Sequence, residues 1–155
     1  LDLLEKNQKI IHKICRIYSN EEGYKDLFQE IVIQLWKSYS SFKGESKFTT
    51  WMYSVSLNTA MSLFRKVKKH ETKINIELVQ DKIKHDEIND DDEIKVKKMY
   101  QAIHQLNDVD KALIMMYLDG KDYSEISRIL GITEGNARVK MNRARNKLKQ
   151  LIKNR

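Results

Sequence analysis

Residues 122–152 constrain the possible folds of this chain more than any other segment, because two short helical patterns meet there at a glycine. The first pattern begins at Asp122 with Glu125 three residues later, the spacing of a capping box at a helix start. Gly131 can adopt the positive φ at which a helix ends, and Thr133 can cap the helix that follows. We therefore predict a helix-turn-helix with a three-residue turn.

The second helix of this motif has two different faces. Its apolar residues recur at steps of three and four and are predicted to pack inward; they are Ala137, Met141, Ala144, Leu148 and Leu151. A recognition helix turns its other face towards the major groove of DNA. The residues expected to contact bases are Arg138, Val139, Asn142 and Arg143. Those expected to contact phosphates are Lys140, Arg145 and Lys147. The alternative is a solvated basic helix.

The rest of the sequence favours helix throughout. The chain has no proline and five glycines, and no sustained alternation of apolar and polar residues indicates a strand. The net charge of +7 suits a polyanionic partner, and its distribution is uneven. Between residues 46 and 70 there are five basic residues and no acid, whereas residues 86–93 hold six acids. An acidic segment therefore separates two basic blocks.

Several classes of site are not indicated. Cys15 is the single cysteine and is expected to be a core residue, and the four histidines lack the spacing of metal ligands. We predict no metal site, no cofactor and no catalytic residue, since neither a nucleophile arrangement nor a phosphate-cradling loop is found. No signal peptide and no apolar run of membrane-spanning length occur, so we expect a cytoplasmic protein without membrane insertion.

Three further amphipathic helices are predicted before residue 70. The apolar face of the first consists of Leu3, Ile10, Ile11, Ile14, Cys15 and Tyr18. The second covers residues 24–39, with an apolar face of Leu27, Phe28, Ile31, Leu35 and Trp36 and a polar edge of Asp26, Gln29, Glu30 and Gln34. The third covers residues 48–69, with core residues Trp51, Met52, Val55, Leu63, Phe64 and Val67. The polar loop SSFKGESKFTTW carries aromatic residues at both ends, and the third helix ends in the basic tract RKVKK. Aromatic residues beside a basic tract can stack unpaired bases while the cations hold phosphate. The alternative is that these aromatic residues belong to the core.

Three blocks of the sequence together resemble a known family. YKDLFQEIVIQLWKSYSSF is similar to the polymerase-binding helix of bacterial sigma factors of the extracytoplasmic-function (ECF) type. GESKFTTWMYSVSLNTAMSLFRKVKK resembles the promoter-melting segment of these proteins, with the G-x-S-x-F-x-T-W run intact. LNDVDKALIMMYLDGKDYSEISRILGITEGNARVKMNRARNKL resembles their C-terminal helix-turn-helix domain. The resemblance therefore covers nearly the whole chain.

The resemblance implies an all-α protein with two small helical domains joined by a flexible acidic linker. The N-terminal domain would cover residues 1–69, the linker 70–95 and the C-terminal helix-turn-helix domain 96–155. The implied function is a sigma factor that binds core RNA polymerase and directs promoter-specific initiation at minus-35 and minus-10 elements. Promoter DNA and core polymerase are the implied partners, and sequestration by an anti-sigma factor is common in the resembled family.

The resemblance also implies roles for individual residues. The clamp-binding positions would be Asp26, Gln29, Glu30 and Gln34. The minus-10 positions would be Ser46, Lys47 and Phe48 in the base-capturing loop, with Asn58 and Arg65 on the following helix. The minus-35 positions would be Arg138, Val139, Lys140, Asn142, Arg143 and Arg145. Val139 and Asn142 depart from the side chains common at these positions, so promoter sequences of relatives should not be transferred. The alternative function is a helix-turn-helix regulator that acts without being a polymerase subunit.

Overall fold

The computed structural model describes residues 2–71 and 90–154, and every regular element in these two ranges is a helix. The first range contains α1 (Asp2–Lys6), α2 (Gln8–Tyr18), α3 (Tyr24–Ser38), a short 3-10 helix (Tyr39–Ser41) and α4 (Phe48–Glu71). The second contains α5 (Asp90–His104), α6 (Asp108–Leu118), α7 (Tyr123–Leu130) and α8 (Glu134–Lys153). The predicted all-α class is confirmed. Most of the acidic linker predicted over residues 70–95 lies outside the described residues, and α5 begins inside that segment.

In the N-terminal half, α2, α3 and α4 pack against one another around one apolar core. Its buried members include Ile14 and Cys15 of α2, Leu27 and Ile31 of α3, and Met52 of α4. The prediction that Cys15 is a core residue is confirmed, and burial raises the pKa of its thiol to about 12. The thiol therefore stays protonated and unreactive at neutral pH.

In the C-terminal half, α8 packs on α5, α6 and α7 through the stripe predicted from the sequence. Ala137, Met141 and Ala144 are buried, while Leu148 and Leu151 are partly buried against the same core. Lys111 of α6 is a buried cation in this half, and its ammonium donates to the backbone oxygens of Ile103 at 3.0 Å and His104 at 2.7 Å. These bonds satisfy carbonyl groups at the C-terminal end of α5, which an isolated helix would leave unpaired.

The two halves pack against each other in this structure. Helix α4 contacts both α6 and α7, and α2 contacts α5 and α6. The hydroxyl of Tyr18 in α2 donates to the backbone oxygen of Asp108 at 2.5 Å. The carboxylate of Glu125 in α7 accepts from the Thr50 hydroxyl of α4 at 3.1 Å. The described residues therefore form one closed unit.

Three expectations about the first half were wrong. The first amphipathic helix is broken at Asn7, whose side chain donates to the Leu3 carbonyl at 2.8 Å and whose N–H bonds the Leu4 carbonyl three residues back. This local bonding replaces the α-helical pattern for one turn. Trp36 was predicted to lie on the apolar face of α3 but is 64% exposed, because it follows the buried Leu35 by one residue and so points about 100° away from it.

Val67, which was assigned to the core, is 53% exposed. The buried residues of α4 end at Met61, and the partly buried Leu63 and Phe64 are the last of this helix to touch the core. Helix α4 thus extends past the helices that cover its apolar face. Its apolar residues keep the helical spacing beyond the point at which another helix packs on them.

Candidate nucleic-acid and polymerase interfaces

The helix-turn-helix has the local geometry that its sequence predicts. The Asp122 carboxylate accepts the N–H of Glu125 at 2.8 Å, and the Thr133 hydroxyl accepts the N–H of Asn136 at 3.1 Å. Gly131 between them has φ of 68°, the left-handed conformation that ends α7. The two helix caps and the three-residue turn are confirmed.

The second half of the predicted capping box is wrong. In a capping box the Glu125 carboxylate would accept the backbone N–H of Asp122. In the structure this carboxylate instead accepts from the Thr50 hydroxyl and pairs with the Lys121 ammonium at 3.1 Å. Lys121 is a local partner, four residues before Glu125, whereas Thr50 lies in the other half of the chain. The long-range contact with Thr50 is one that the spacing of the motif alone could not show.

The outward face of α8 presents the predicted base-contacting residues to solvent. Arg138, Val139, Asn142 and Arg143 are all exposed. Val139 is 49% exposed, and an apolar side chain among cations in this position can pack on a thymine methyl group. The face is therefore free to enter a groove without rearrangement of α8.

The three cations predicted to contact phosphates differ in their surroundings. Lys140 is half-buried. Arg145 is also half-buried, with its guanidinium carbon 4.6 Å from the centre of the Tyr117 ring. Lys147 pairs with the Asp110 carboxylate at 3.2 Å. Two of these cations are therefore held by contacts within the C-terminal half.

The loop over residues 42–48 rests on a cluster of aromatic rings. Phe42, Phe48 and Trp51 contact one another with ring centres 5.2–5.9 Å apart. Phe48 itself is half-buried, whereas Lys47 is exposed and Ser46 is half-buried. The loop therefore has an aromatic base with polar and cationic groups above it. Beside it lies an apolar cleft of about 170 Å³, lined by Leu3, Leu4, Leu35, Trp36, Tyr39, Phe48 and Trp51.

Asn58 and Arg65, the two candidates on α4, lie on one side of that helix. They are seven residues apart, which is almost two full turns, and both side chains are exposed. Arg65 donates to the Asp108 carboxylate at 2.5 Å, so the C-terminal half holds it in an ion pair. In the closed unit this cation is therefore partly neutralised before any DNA arrives.

The predicted polymerase-binding edge runs along the outside of α3. Asp26 and Gln29 are exposed, while Glu30 and Gln34 are half-buried and joined by a hydrogen bond of 3.0 Å from the Gln34 amide. Near this edge Ile33 is 45% exposed and Trp36 is 64% exposed. Large apolar side chains beside an acidic edge are typical of a protein-binding surface. Sequence reasoning missed this contribution because it placed Trp36 on the apolar face of the helix.

The part of the chain that the structure describes contains no group of three His, Cys, Asp or Glu side chains able to hold a metal ion. Within the same ranges, no helix has the length and apolar character needed to cross a bilayer.

Comparison with known families identifies two matching segments. Residues 3–70 match the model of Sigma-70 region 2, and residues 97–148 match that of Sigma-70, region 4. The first segment contains the α3 edge, the aromatic loop and α4, and the second contains the helix-turn-helix. The two groups of candidate residues thus fall into two separate family segments.

Curated relatives and solved structures agree with this division. The chain is 26% identical over 162 residues to the ECF RNA polymerase sigma-E factor of Haemophilus influenzae, covering 97% of this chain and 85% of that one. It is 25% identical over 160 residues to the sigma-E factor of Escherichia coli K12, covering 92% and 84% of the two chains.

Two solved structures are similar in fold, and each comparison covers 98% of this chain. The sigma factor RpoE from Bartonella quintana, in complex with the anti-sigma factor NepR, has a TM-score of 0.74 and 19% identity, covering 98% of this chain and 97% of that one. CnrH, in complex with the cytosolic domain of CnrY, has a TM-score of 0.68 and 16% identity, covering 98% and 86%.

Proposed function

The chain belongs to the sigma-70 family, in its extracytoplasmic-function group, and we propose that it binds core RNA polymerase and directs promoter-specific initiation. The observation that carries this proposal is the presence of both family segments in one chain, each with exposed groups suited to its task. A single helix-turn-helix would support only a general DNA-binding function.

Upstream, α8 would read the minus-35 element. Arginine can bind guanine with two hydrogen bonds and asparagine can do the same with adenine, so Arg138, Arg143 and Asn142 would contact base edges. Val139 would pack on a thymine methyl group. Lys140 and Arg145 would contact phosphates, which raises affinity and makes it salt-dependent without choosing a sequence.

Downstream, the loop and α4 would hold the minus-10 element. Ser46, Lys47 and Phe48 would receive an unstacked base above the aromatic cluster, and Asn58 and Arg65 would contact the adjoining strand. Flipping a base costs a few kcal/mol, which polymerase binding and the DNA contacts would offset.

The proposed domains are residues 1–69 and 96–155, joined by residues 70–95. The two promoter elements lie roughly 25 base pairs apart, which is about 85 Å at 3.4 Å per base pair. A compact unit of 155 residues has a radius of gyration of about 15 Å and a diameter of about 40 Å. The closed unit cannot touch both elements of a straight promoter, so the domains would separate when the polymerase binds. A stretch of 18 residues, the number between Glu71 and Asp90, spans at most about 65 Å and permits that separation.

The α3 edge would bind the polymerase. Asp26, Gln29, Glu30 and Gln34 would supply its polar contacts, and the exposed Trp36 would add apolar area. The structurally similar sigma factor RpoE is bound to the anti-sigma factor NepR, and CnrH is bound to the cytosolic domain of CnrY. We propose that an anti-sigma factor also sequesters this chain. Nucleotidyl transfer would belong to the polymerase, and a subunit of that enzyme would act in the cytoplasm.

Promoter binding with and without core polymerase tests this function. We expect promoter fragments to be retarded in a gel only when chain and core polymerase are both present, and Glu30→Lys to weaken that complex while leaving the fold intact. Tight, sequence-specific binding of duplex DNA by the chain alone, unaffected by Glu30→Lys, would instead indicate a regulator that acts without polymerase.

A further inference from the structure

Arg138, the first of the proposed base-reading residues, lies against an aromatic ring of the neighbouring helix. Its guanidinium carbon is 4.6 Å from the centre of the Tyr123 ring, within the range of a cation–π contact. None of the ion pairs in the described ranges involves Arg138. The Tyr123 ring is therefore the main contact of the Arg138 guanidinium in those ranges. A cation–π contact pairs none of the five N–H donors of the guanidinium with an acceptor, so these donors remain available for a base.

The Tyr123 ring is itself fixed in place. Tyr123 is the first residue of α7 and follows the Asp122 cap, so its backbone position is set by the capped helix start. Its side chain is half-buried and packs against the core that includes Ile126 and Met141. The platform under Arg138 therefore belongs to a rigid helix and not to a mobile loop.

We propose that Tyr123 is a positioning residue that sets the base specificity of Arg138 in the upstream element. An exposed arginine loses much rotamer freedom when it binds a base with two hydrogen bonds, and a side chain already held over a ring has less to lose. Loss of the ring would leave the charge of the surface unchanged, so attraction to phosphates would remain while discrimination at one base pair fell. This inference rests on the proposed function, since it assumes that Arg138 reads a base.

The test is transcription by the core polymerase and the full chain on promoters that differ at single positions of the upstream element. Arg138→Ala identifies the base pair that Arg138 reads. We expect Tyr123→Leu to reduce discrimination at that same pair by about two- to fivefold, with an unchanged salt dependence of promoter binding. Tyr123→Phe keeps the ring and should retain full discrimination. The double variant Tyr123→Leu with Arg138→Ala should be no worse than Arg138→Ala alone.

Three controls separate positioning from other roles. Tyr100→Leu removes a similar half-buried ring, 5.8 Å from the guanidinium of Arg16, and should leave discrimination unchanged. Thermal unfolding reports whether Tyr123→Leu weakens the fold, and Tyr123→Met offers a second ringless variant of similar volume. Full discrimination by both ringless variants would overturn the inference, as would additive effects in the double variant. A uniform loss of affinity in Tyr123→Phe would also overturn it, since the hydroxyl would then act as a phosphate ligand. Absence of any promoter-dependent transcription with the unmodified chain would overturn the proposed function and this inference together.

Discussion

Asp119 joins the two halves of the closed unit, and its replacement tests whether that unit must open. Its carboxylate accepts from the Lys13 ammonium of α2 at 2.6 Å and from the Tyr53 hydroxyl of α4. Burial, and then the contact with Asp119, raises the pKa of Tyr53, so the phenol remains a donor at neutral pH. Asp119→Asn keeps the shape of the acceptor and removes its charge.

The size of the effect follows from these two contacts. The Lys13 side chain is 48% exposed, so its ion pair contributes at most about 1 kcal/mol. A hydrogen bond from a buried hydroxyl contributes about 1.5–3 kcal/mol to a charged acceptor and about 0.5–1.5 kcal/mol to a neutral one. The substitution should therefore weaken the closed unit by about 2 kcal/mol, which raises the ratio of open to closed chain about 30-fold.

Core polymerase binding provides the assay. If only the open chain binds, the apparent affinity for the core polymerase should improve by up to the same 30-fold factor while the closed form predominates. Small-angle scattering of the free chain should show a larger radius of gyration for Asp119→Asn where the substitution makes the open form a large fraction of the population, and the gain in affinity is then smaller than 30-fold. Asp92→Asn, at an exposed acid of α5, serves as the matched control. An expanded chain whose affinity for polymerase is unchanged or weaker would refute the reasoning.

The remaining predictions concern the polymerase edge, the loop and a buried cation. Glu30→Lys should weaken core polymerase binding at least tenfold with an unchanged melting temperature, and normal retention in a pull-down would contradict that role. Lys47→Ala, at an exposed site, should slow open-complex formation on duplex promoters about fivefold and spare pre-melted templates; equal loss on both templates would argue against base capture. Burial and the nearby Lys68 ammonium lower the pKa of Lys111 from 10.5 to about 8, so between these pH values the unfolded chain holds more protons than the folded one. The free energy of unfolding should therefore rise by up to about 3 kcal/mol from pH 8 to 10.5 relative to Lys111→Met, and a flat difference in chemical denaturation would contradict the burial argument.

The sequence predicted best what local chemistry determines. The caps at Asp122 and Thr133, the left-handed Gly131 and the inward stripe of α8 all depend on residues within a turn or two of one another. Contacts between distant residues were not predictable in this way. The Glu125 carboxylate accepts a hydrogen bond from Thr50 of α4 because packing brings α4 and α7 together. Nothing in the spacing around Glu125 indicates that contact.

The candidate surfaces show the same division. The sequence placed Arg138, Val139, Asn142 and Arg143 on an outward face, and that exposure is confirmed, while their contacts with bases remain predictions. Periodicity could not show that Arg138 lies on Tyr123, since the ring comes from a different helix. Periodicity also could not show where α4 extends beyond its neighbouring helices, or that Trp36 faces solvent. Both depend on how far the covering helices extend.

Transcription in vitro tests the central claim most directly. Purified core polymerase, with and without this chain, would transcribe a library of genomic fragments, and the transcript start sites would be mapped. We predict a set of starts that requires the chain and shares two upstream sequence elements centred near minus-35 and minus-10. Arg138→Ala should lose preference within the first element, and changes in the loop over residues 42–48 should affect the second. Starts that are the same with and without the chain would contradict its assignment as a promoter-selecting subunit.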